Sequence, residues 1–410
     1  MTPEPLWHVI GQSVRGASHV RADLPNQDAI SWRPSSRSGP PLVLVVSDGH
    51  GSAKSFRSDR GSKFAVAAAA DLMQELVSGQ PDPQNLSMVK RVAEERLPNE
   101  LVRRWQSAVD RDLADYPFTE LELVKLTQQR GQRSCKEVIK TPRLAYGATV
   151  LGVLVTQGFL LFLQLGDGDI LIVGDDGTVT RPLARDARLI ANETTSLCML
   201  KAWREVRLSF QADYGRLPAL IMAATDGYAN SFVNDDAFRR VGSDILAIMR
   251  EDGVQSVEES LTDWLNEASE AGSGDDISLG ILYRVDAVRA QSGAAASSRE
   301  ARVLPQEEPP TSAGEVAAVL VLSKELAAAP VSPDQADVLS EESRVSDARL
   351  VSGGARRHAT EGPEIGSRFV AHFKHEGPSE PSKRVRLADV VGDGDEEADD
   401  AASTDGAPRD

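Results

Sequence analysis

Cysteine is scarce in this chain. Cys135 and Cys198 are the two among 410 residues, too few for a disulfide framework or a cysteine-held zinc site. Aromatic residues are missing from one end: of the 10 Phe, 5 Trp and 5 Tyr, Phe369 and Phe373 alone lie beyond residue 285. Residues 286–410 therefore lack the side chains that build a core, and they are rich in Ala, Ser, Pro, Glu and Asp. Apolar runs long enough to cross a bilayer are missing too, since stretches such as Val150–Val155 and Phe159–Leu163 are far too short. The opening MTPEPLWHVIGQSVRG has no basic region followed by an apolar one, so no signal peptide is expected. These absences predict a soluble, cytoplasmic protein with no membrane partner.

A basic surplus is also lacking. Lys plus Arg number 45 against 62 Asp plus Glu, a net charge of −17. Residues 286–410 hold 14 basic and 24 acidic residues, which leaves −7 for the remainder. Neither part offers a basic surface for a nucleic-acid backbone or anionic lipid. An acidic domain can still bind phosphate where metal ions supply the positive charge.

The aromatic boundary divides the chain into one domain over 1–285 and a flexible, acidic, low-complexity tail over 286–410. Hydrophobic patterning in the first part predicts strands at Trp7–Gly11, Asp28–Trp32 and Leu42–Ser47. A helix follows over Ser58–Leu76, and residues 84–130 read as mostly helical, punctuated by Pro117 and Gly131. Strands return at Ala148–Val155, Phe159–Leu165, Ile170–Val173, Thr178–Thr180, Val206–Phe210 and Ala219–Ala224. Helices over Asp235–Arg250 and Val254–Ala268 precede a last strand, Ile277–Arg284. This order predicts an α+β fold, a β core with helices packed outside.

Five aspartates stand where a strand starts or stops, beside glycine or another small polar residue. Asp28 opens one strand, Asp48 ends LVLVVSD, Asp167 lies in LGDGD, Asp226 ends ALIMAATD and Asp275 precedes ISLGILYR. Asp-Gly after a strand is ordinary turn chemistry, and Gly174–Gly177 reads as such a turn. Five at successive strand ends point further, to a shared rim. Carboxylates brought together there repel one another and resist ionisation. Hard cations such as Mg²⁺ and Mn²⁺ remove that penalty, because they prefer oxygen ligands.

The blocks GASHVRADLPNQDAI, VVSDGHGSA, YGATVLGVL, LQLGDGDILIV, AATDGY and GDDISLGIL resemble, in order and spacing, the metal-dependent protein phosphatase family of type 2C. The first block is closest to a bacterial subgroup, and the likeness covers about residues 6–285. It implies an α-β-β-α sandwich of two antiparallel sheets flanked by helices, with two Mg²⁺ or Mn²⁺ ions at one end. By motif, Asp48 would bridge both ions, the Gly49 carbonyl would bind one, and Asp226 and Asp275 the other. Asp28 would hold metal-bound water, and Asp167 would support a third, weaker metal. Two such ions about 3.5–4 Å apart activate a water for in-line attack on phosphorus. His50 is the candidate general acid for the leaving alkoxide, or alternatively a residue that orients water.

This sequence departs from the family at the phosphate grip. Where many members place an Arg, five residues before the first acid, this chain has Asp23. Arg21, His19 and Lys54 are the candidates to replace it, and Gln27 stands where many members have Glu. The resemblance implies a monomeric serine/threonine protein phosphatase acting on a phosphorylated protein and opposing a protein kinase. A non-catalytic phosphoprotein-binding module of the same fold, and an enzyme acting on a small phosphorylated metabolite, are the alternatives. A phosphate-binding loop at Gly51–Ser55 lacks the needed glycine spacing. An Asp-x-Asp phosphotransferase site at Asp167–Asp169 would require a parallel sheet.

In the tail, Val316–Ala328 has the composition of a short helix and Arg368–His375 that of a linear binding motif. Lys383–Arg386 is a short basic cluster ahead of the acidic run Asp393–Asp400. Solvated linker is the simplest reading of the whole segment.

Overall fold

The computed structural model describes residues 6–79, 85–186, 194–212 and 217–289. The readings made for Val316–Ala328, Arg368–His375 and Lys383–Arg386 lie outside the described residues. In chain order the elements are β1 (Trp7–Val14), α1 (Ala17–Ala22), β2 (Ala29–Arg33), β3 (Ser38–Gly39), β4 (Leu42–Ser47), α2 (Ser58–Ser78), α3 (Leu86–Asp115) and α4 (Glu120–Lys140). There follow β5 (Val150–Val155), β6 (Phe159–Leu165), β7 (Asp169–Val173), β8 (Val179–Thr180), β9 (Arg207–Ala212) and β10 (Leu220–Ala224). The chain continues through α5 (Asp226–Ala229), α6 (Asp235–Glu251), α7 (Val254–Ala268), β11 (Ile277–Arg284) and α8 (Val285–Arg289).

Two sheets form, ordered β3-β1-β11-β10-β7-β8 and β2-β4-β5-β6-β9. Every strand pair among the described residues is antiparallel, which removes the parallel-sheet alternative raised by Asp167–Asp169. Strands β4, β5, β6 and β10 read as near-continuous apolar runs because both their faces are covered. In β4, Leu42, Leu44 and Val46 enter the core between the sheets, while Val43 and Val45 enter the core under α2 and α3. In β10, Ile221 and Ala223 face the other sheet, and Leu220 and Met222 pack with α6 and α7. The layers are thus helices, sheet, sheet, helices, the expected α-β-β-α sandwich.

The helical segment departs slightly from its sequence reading. Helix α3 ends at Asp115, and α4 begins after a capping box in which Thr119 and Glu122 satisfy each other's backbone N–H groups. Gly131 has φ 79° and kinks α4, which then continues to Lys140. Helix α1 is absent from the sequence reading because six residues are too few to show a period. Its first N–H groups are satisfied from across the chain: Ala17 N donates to Ser269 Oγ at 3.0 Å and Ser18 N to Gly274 O at 2.8 Å.

One buried cation fixes the α3–α4 turn to the start of α2. The Arg57 side chain donates to Glu122 through Nε (2.7 Å) and Nη2 (2.9 Å), to Tyr116 O (2.6 Å), to Tyr146 Oη (2.8 Å) and to Pro117 O (3.1 Å). Burial raises the Glu122 carboxyl, but the hydrogen bonds from Arg57 and Thr119 outweigh it and hold the group at about 2. The stability this pair supplies is present above the ordinary carboxylate range and is lost as pH falls toward 2. Glu122→Ala should cost about 1.5–3 kcal/mol, the scale for hydrogen bonds to a charged group. Glu122→Gln should flatten the loss of stability between pH 5 and pH 2, measured by denaturant titration. An unchanged acid profile would remove Glu122 from the account.

Candidate metal centre

Strand registers bring the acidic strand ends to one end of the sandwich. Ala29 pairs with Ser47, so Asp28 and Asp48 extend from adjacent ends of β2 and β4. Ala224 pairs with both Leu279 and Asp169, which places Asp226, Asp275 and the β6–β7 turn together. Bare backbone makes the convergence possible. A Cβ on Gly49 would sit 2.4 Å from Gln27 O, and one on Gly227 would sit 2.2 Å from Asp276 O. Any side chain there would push the loops apart.

The result is an open cleft of about 860 Å³ lined by Asp48, His50, Asp167, Asp226 and Asp275, with Arg185 among the flanking residues. Carboxylate oxygens of Asp48, Asp167 and Asp226 lie within 4.8 Å of one another. One ligand atom each of Asp275, His19 and Asp276 likewise lie within 4.8 Å of one another. Neutral partners hold several of these acids: Asn230 Nδ2 donates to Asp226 (3.0 Å), Thr194 Oγ1 to Asp167 (2.9 Å) and Thr225 Oγ1 to Asp28 Oδ2 (2.7 Å). The other Asp28 oxygen, Oδ1, is buried and has no hydrogen-bond partner. The Gly49 carbonyl accepts no hydrogen bond among the described residues.

Electrostatics follow from this crowding. Burial, reinforced by neighbouring carboxylates, pushes Asp28 and Asp48 well above the usual carboxylate range. Asp226 rises to about 7 for the same reasons, and burial raises Asp275. Among the described residues no Lys or Arg forms an ion pair with Asp28, Asp48, Asp167, Asp226 or Asp275. A set of oxygen donors with unmet negative charge, an orphaned buried oxygen and a free carbonyl fits a hard divalent cation.

The other residues singled out in the sequence fall in different places. His50 lines the cleft, and burial lowers its imidazole below the ordinary range although Asp167 counters it. His19 is buried, with Nδ1 2.7 Å from Asp276 Oδ2 and Nε2 3.7 Å from Asp275 Oδ1. The hydrogen bond to Asp276 raises its imidazole above the ordinary range, against burial. Lys54 is drawn away to Glu137 on α4, at 2.7 Å. Arg21 is exposed, makes no hydrogen bond or ion pair among the described residues, and reaches within 3.9 Å of where a Gly274 Cβ would stand. It therefore stands unpaired beside Gly274, outside the residues that line the cleft.

Two acids matter more than their sequence context shows. Asp169 is buried and pairs with Arg181 (2.5 Å) and Arg185 (2.8 Å), anchoring the segment that borders the cleft. Asp276 is buried and accepts from Gly16 N and Gln27 N as well as facing His19. Only their neighbours in LGDGD and GDDIS carried a sequence signal, the strand-end position.

A search among curated proteins found no match. The catalytic domain of the serine/threonine phosphatase PstP, solved with two manganese ions, is 18% identical, with 69% of this chain and 100% of that one covered and a TM-score of 0.41. PppA of Pseudomonas aeruginosa is 14% identical over 68% and 97% of the two chains, with a TM-score of 0.40. Stp1 of Staphylococcus aureus is 13% identical over 68% and 94%, with a TM-score of 0.40. The model of the family described as protein phosphatase 2C matches residues 15–266, and the chain therefore belongs to that family.

Proposed function

We propose that this chain hydrolyses phosphoserine and phosphothreonine on proteins with the help of two Mg²⁺ or Mn²⁺ ions. The observation that carries the reading is the carboxylate cluster of Asp48, Asp167 and Asp226, within 4.8 Å, against the unpartnered Oδ1 of Asp28. Asp48, the Gly49 carbonyl, Asp226 and Asp275 would hold the two ions, and Asp167 a third, weaker one. Bound divalent cations supply an acidified water and neutralise phosphoryl charge. Asp28 orients the attacking water through the oxygen it leaves free, its other oxygen being fixed by Thr225. Hydrolysis requires no protein nucleophile. The presence of all five aspartates favours an enzyme over a non-catalytic phosphoprotein-binding module. A protein kinase acting on the same substrate is the matching partner.

Of the three candidates for the phosphate grip, geometry favours Arg21. His19 is enclosed by Asp275 and Asp276, and Lys54 is paired with Glu137. A free guanidinium can bind a phosphoryl group in a charge-assisted, two-point contact. His50 lines the cleft where a leaving alkoxide must gain its proton.

The metal reading predicts that Mn²⁺ raises the unfolding midpoint of the full chain. At a hundred times its dissociation constant the gain is about 2.7 kcal/mol. Asp48→Asn should abolish both this gain and turnover. Full activity after thorough chelation would sink the reading.

For His50, the nature of the leaving group discriminates. His50→Ala should slow turnover on a phosphoserine peptide by roughly 10²–10⁴-fold. An aryl phosphate with a good leaving group needs no proton, so its turnover should barely change. Equal losses on both substrates would assign His50 to orienting water instead. Arg21→Ala should lower kcat/KM by roughly ten- to hundredfold, the loss of one charge-assisted contact. Mn²⁺ affinity should be unaffected, and wild-type kinetics would exclude Arg21.

A further inference from the structure

Asp276 is the most heavily engaged carboxylate at this end of the molecule, and its side chain is 2% exposed. Its Oδ1 accepts from Gly16 N at 2.6 Å. Its Oδ2 accepts from Gln27 N at 2.6 Å and lies 2.7 Å from His19 Nδ1. These three donors span the connection between β1 and β2: its first turn, helix α1, and the residue before Asp28. The second ring nitrogen of His19, Nε2, faces Asp275 Oδ1 at 3.7 Å. That same oxygen accepts the Asp276 N–H at 2.9 Å. The imidazole therefore stands between two consecutive aspartates of one strand end, held by one and directed at the other.

We propose that Asp276 and His19 form a positioning dyad that aims the Asp275 carboxylate into the cleft. The inference rests on the reading of Asp275 as a metal ligand given above. A carboxylate left to rotate must be ordered when an ion binds, and that ordering weakens affinity. Groups that hold a ligand from behind typically affect metal affinity by about 10–100-fold. Asp276 suits this task because both its oxygens accept. An amide offers one accepting oxygen and a donating nitrogen, so Asn at this position would set an N–H against the Gly16 N–H or against the Gln27 N–H. Gln in place of His19 keeps a donor to one aspartate but cannot bridge both. A tether that merely ties down the β1–β2 connection would stabilise the fold and leave ion binding unchanged, so affinity separates the two roles.

Mn²⁺ binding to the full chain by isothermal titration calorimetry tests this, using wild type, Asp276→Asn, His19→Gln and the double variant. Each single variant should bind at least one ion about tenfold or more weaker than wild type. The double variant should be no weaker than the worse single one, because the two residues act as a unit. Wild-type affinity in both single variants, with a lowered unfolding midpoint, would reduce the dyad to a tether and overturn the inference. Additive losses in the double variant would overturn the unit as well. Should Asp276→Asn fail to fold, His19→Gln carries the test alone. A wild type that binds no Mn²⁺ is a separate result: it removes the metal reading itself, and the dyad's role with it.

Discussion

Mutual repulsion among buried carboxylates is the constraint to which the rest of this molecule answers. Asp28, Asp48, Asp226 and Asp275 are all pushed above the usual carboxylate range by burial, and each also feels other members of the group. Such a cluster opposes folding wherever its carboxylates must ionise, so the frame around it must hold against it. Three apolar cores do so, one between the sheets and one beneath each helical layer. The acids project from strand ends whose positions are fixed by registers deep in those cores. A strand can carry a charge at its tip because its interior residues leave the tip no freedom to move away.

The same logic explains why much of the fold could be read in the sequence. A strand buried on both faces shows as a largely apolar run, as Leu42–Ser47 does, and Leu42–Ser47, Phe159–Leu165 and Ile277–Arg284 stand where the sequence pattern predicted strands. Helix Val254–Ala268 likewise has the bounds its pattern suggested. The strand-end aspartates were visible because Asp beside Gly at the end of an apolar run is a local signal. Helix α1 carried no such signal, since its capping partners, Ser269 and Gly274, lie some 250 residues away in sequence. Asp276 and Asp169 were hidden for a related reason. Each sits beside a cluster acid, and what separates them is the partner each finds: backbone N–H groups and His19 for Asp276, two arginines for Asp169. Spacing along the chain does not encode those choices.

The placement of cations completes the argument. Arg21 is unpaired among the described residues, but several other basic side chains around the cleft are spent elsewhere. Lys54 is on Glu137, Arg57 on Glu122, and Arg181 and Arg185 on Asp169 and Asp235. Each of these pairs fastens a segment that borders the cleft, and none enters the cluster. An internal arginine among the five acids would have neutralised them at a fixed geometry, and it would have filled the space with a group that cannot leave. Charge from solution can come and go, and it can share its coordination with a ligand. The chain has thus separated two tasks. Fixed ion pairs at the perimeter hold the walls in place, while the unmet charge at the centre fits a hard divalent cation. His19 stands at the boundary between these tasks, for it is tied to Asp276 on one side yet still faces the acid cluster through Asp275 on the other.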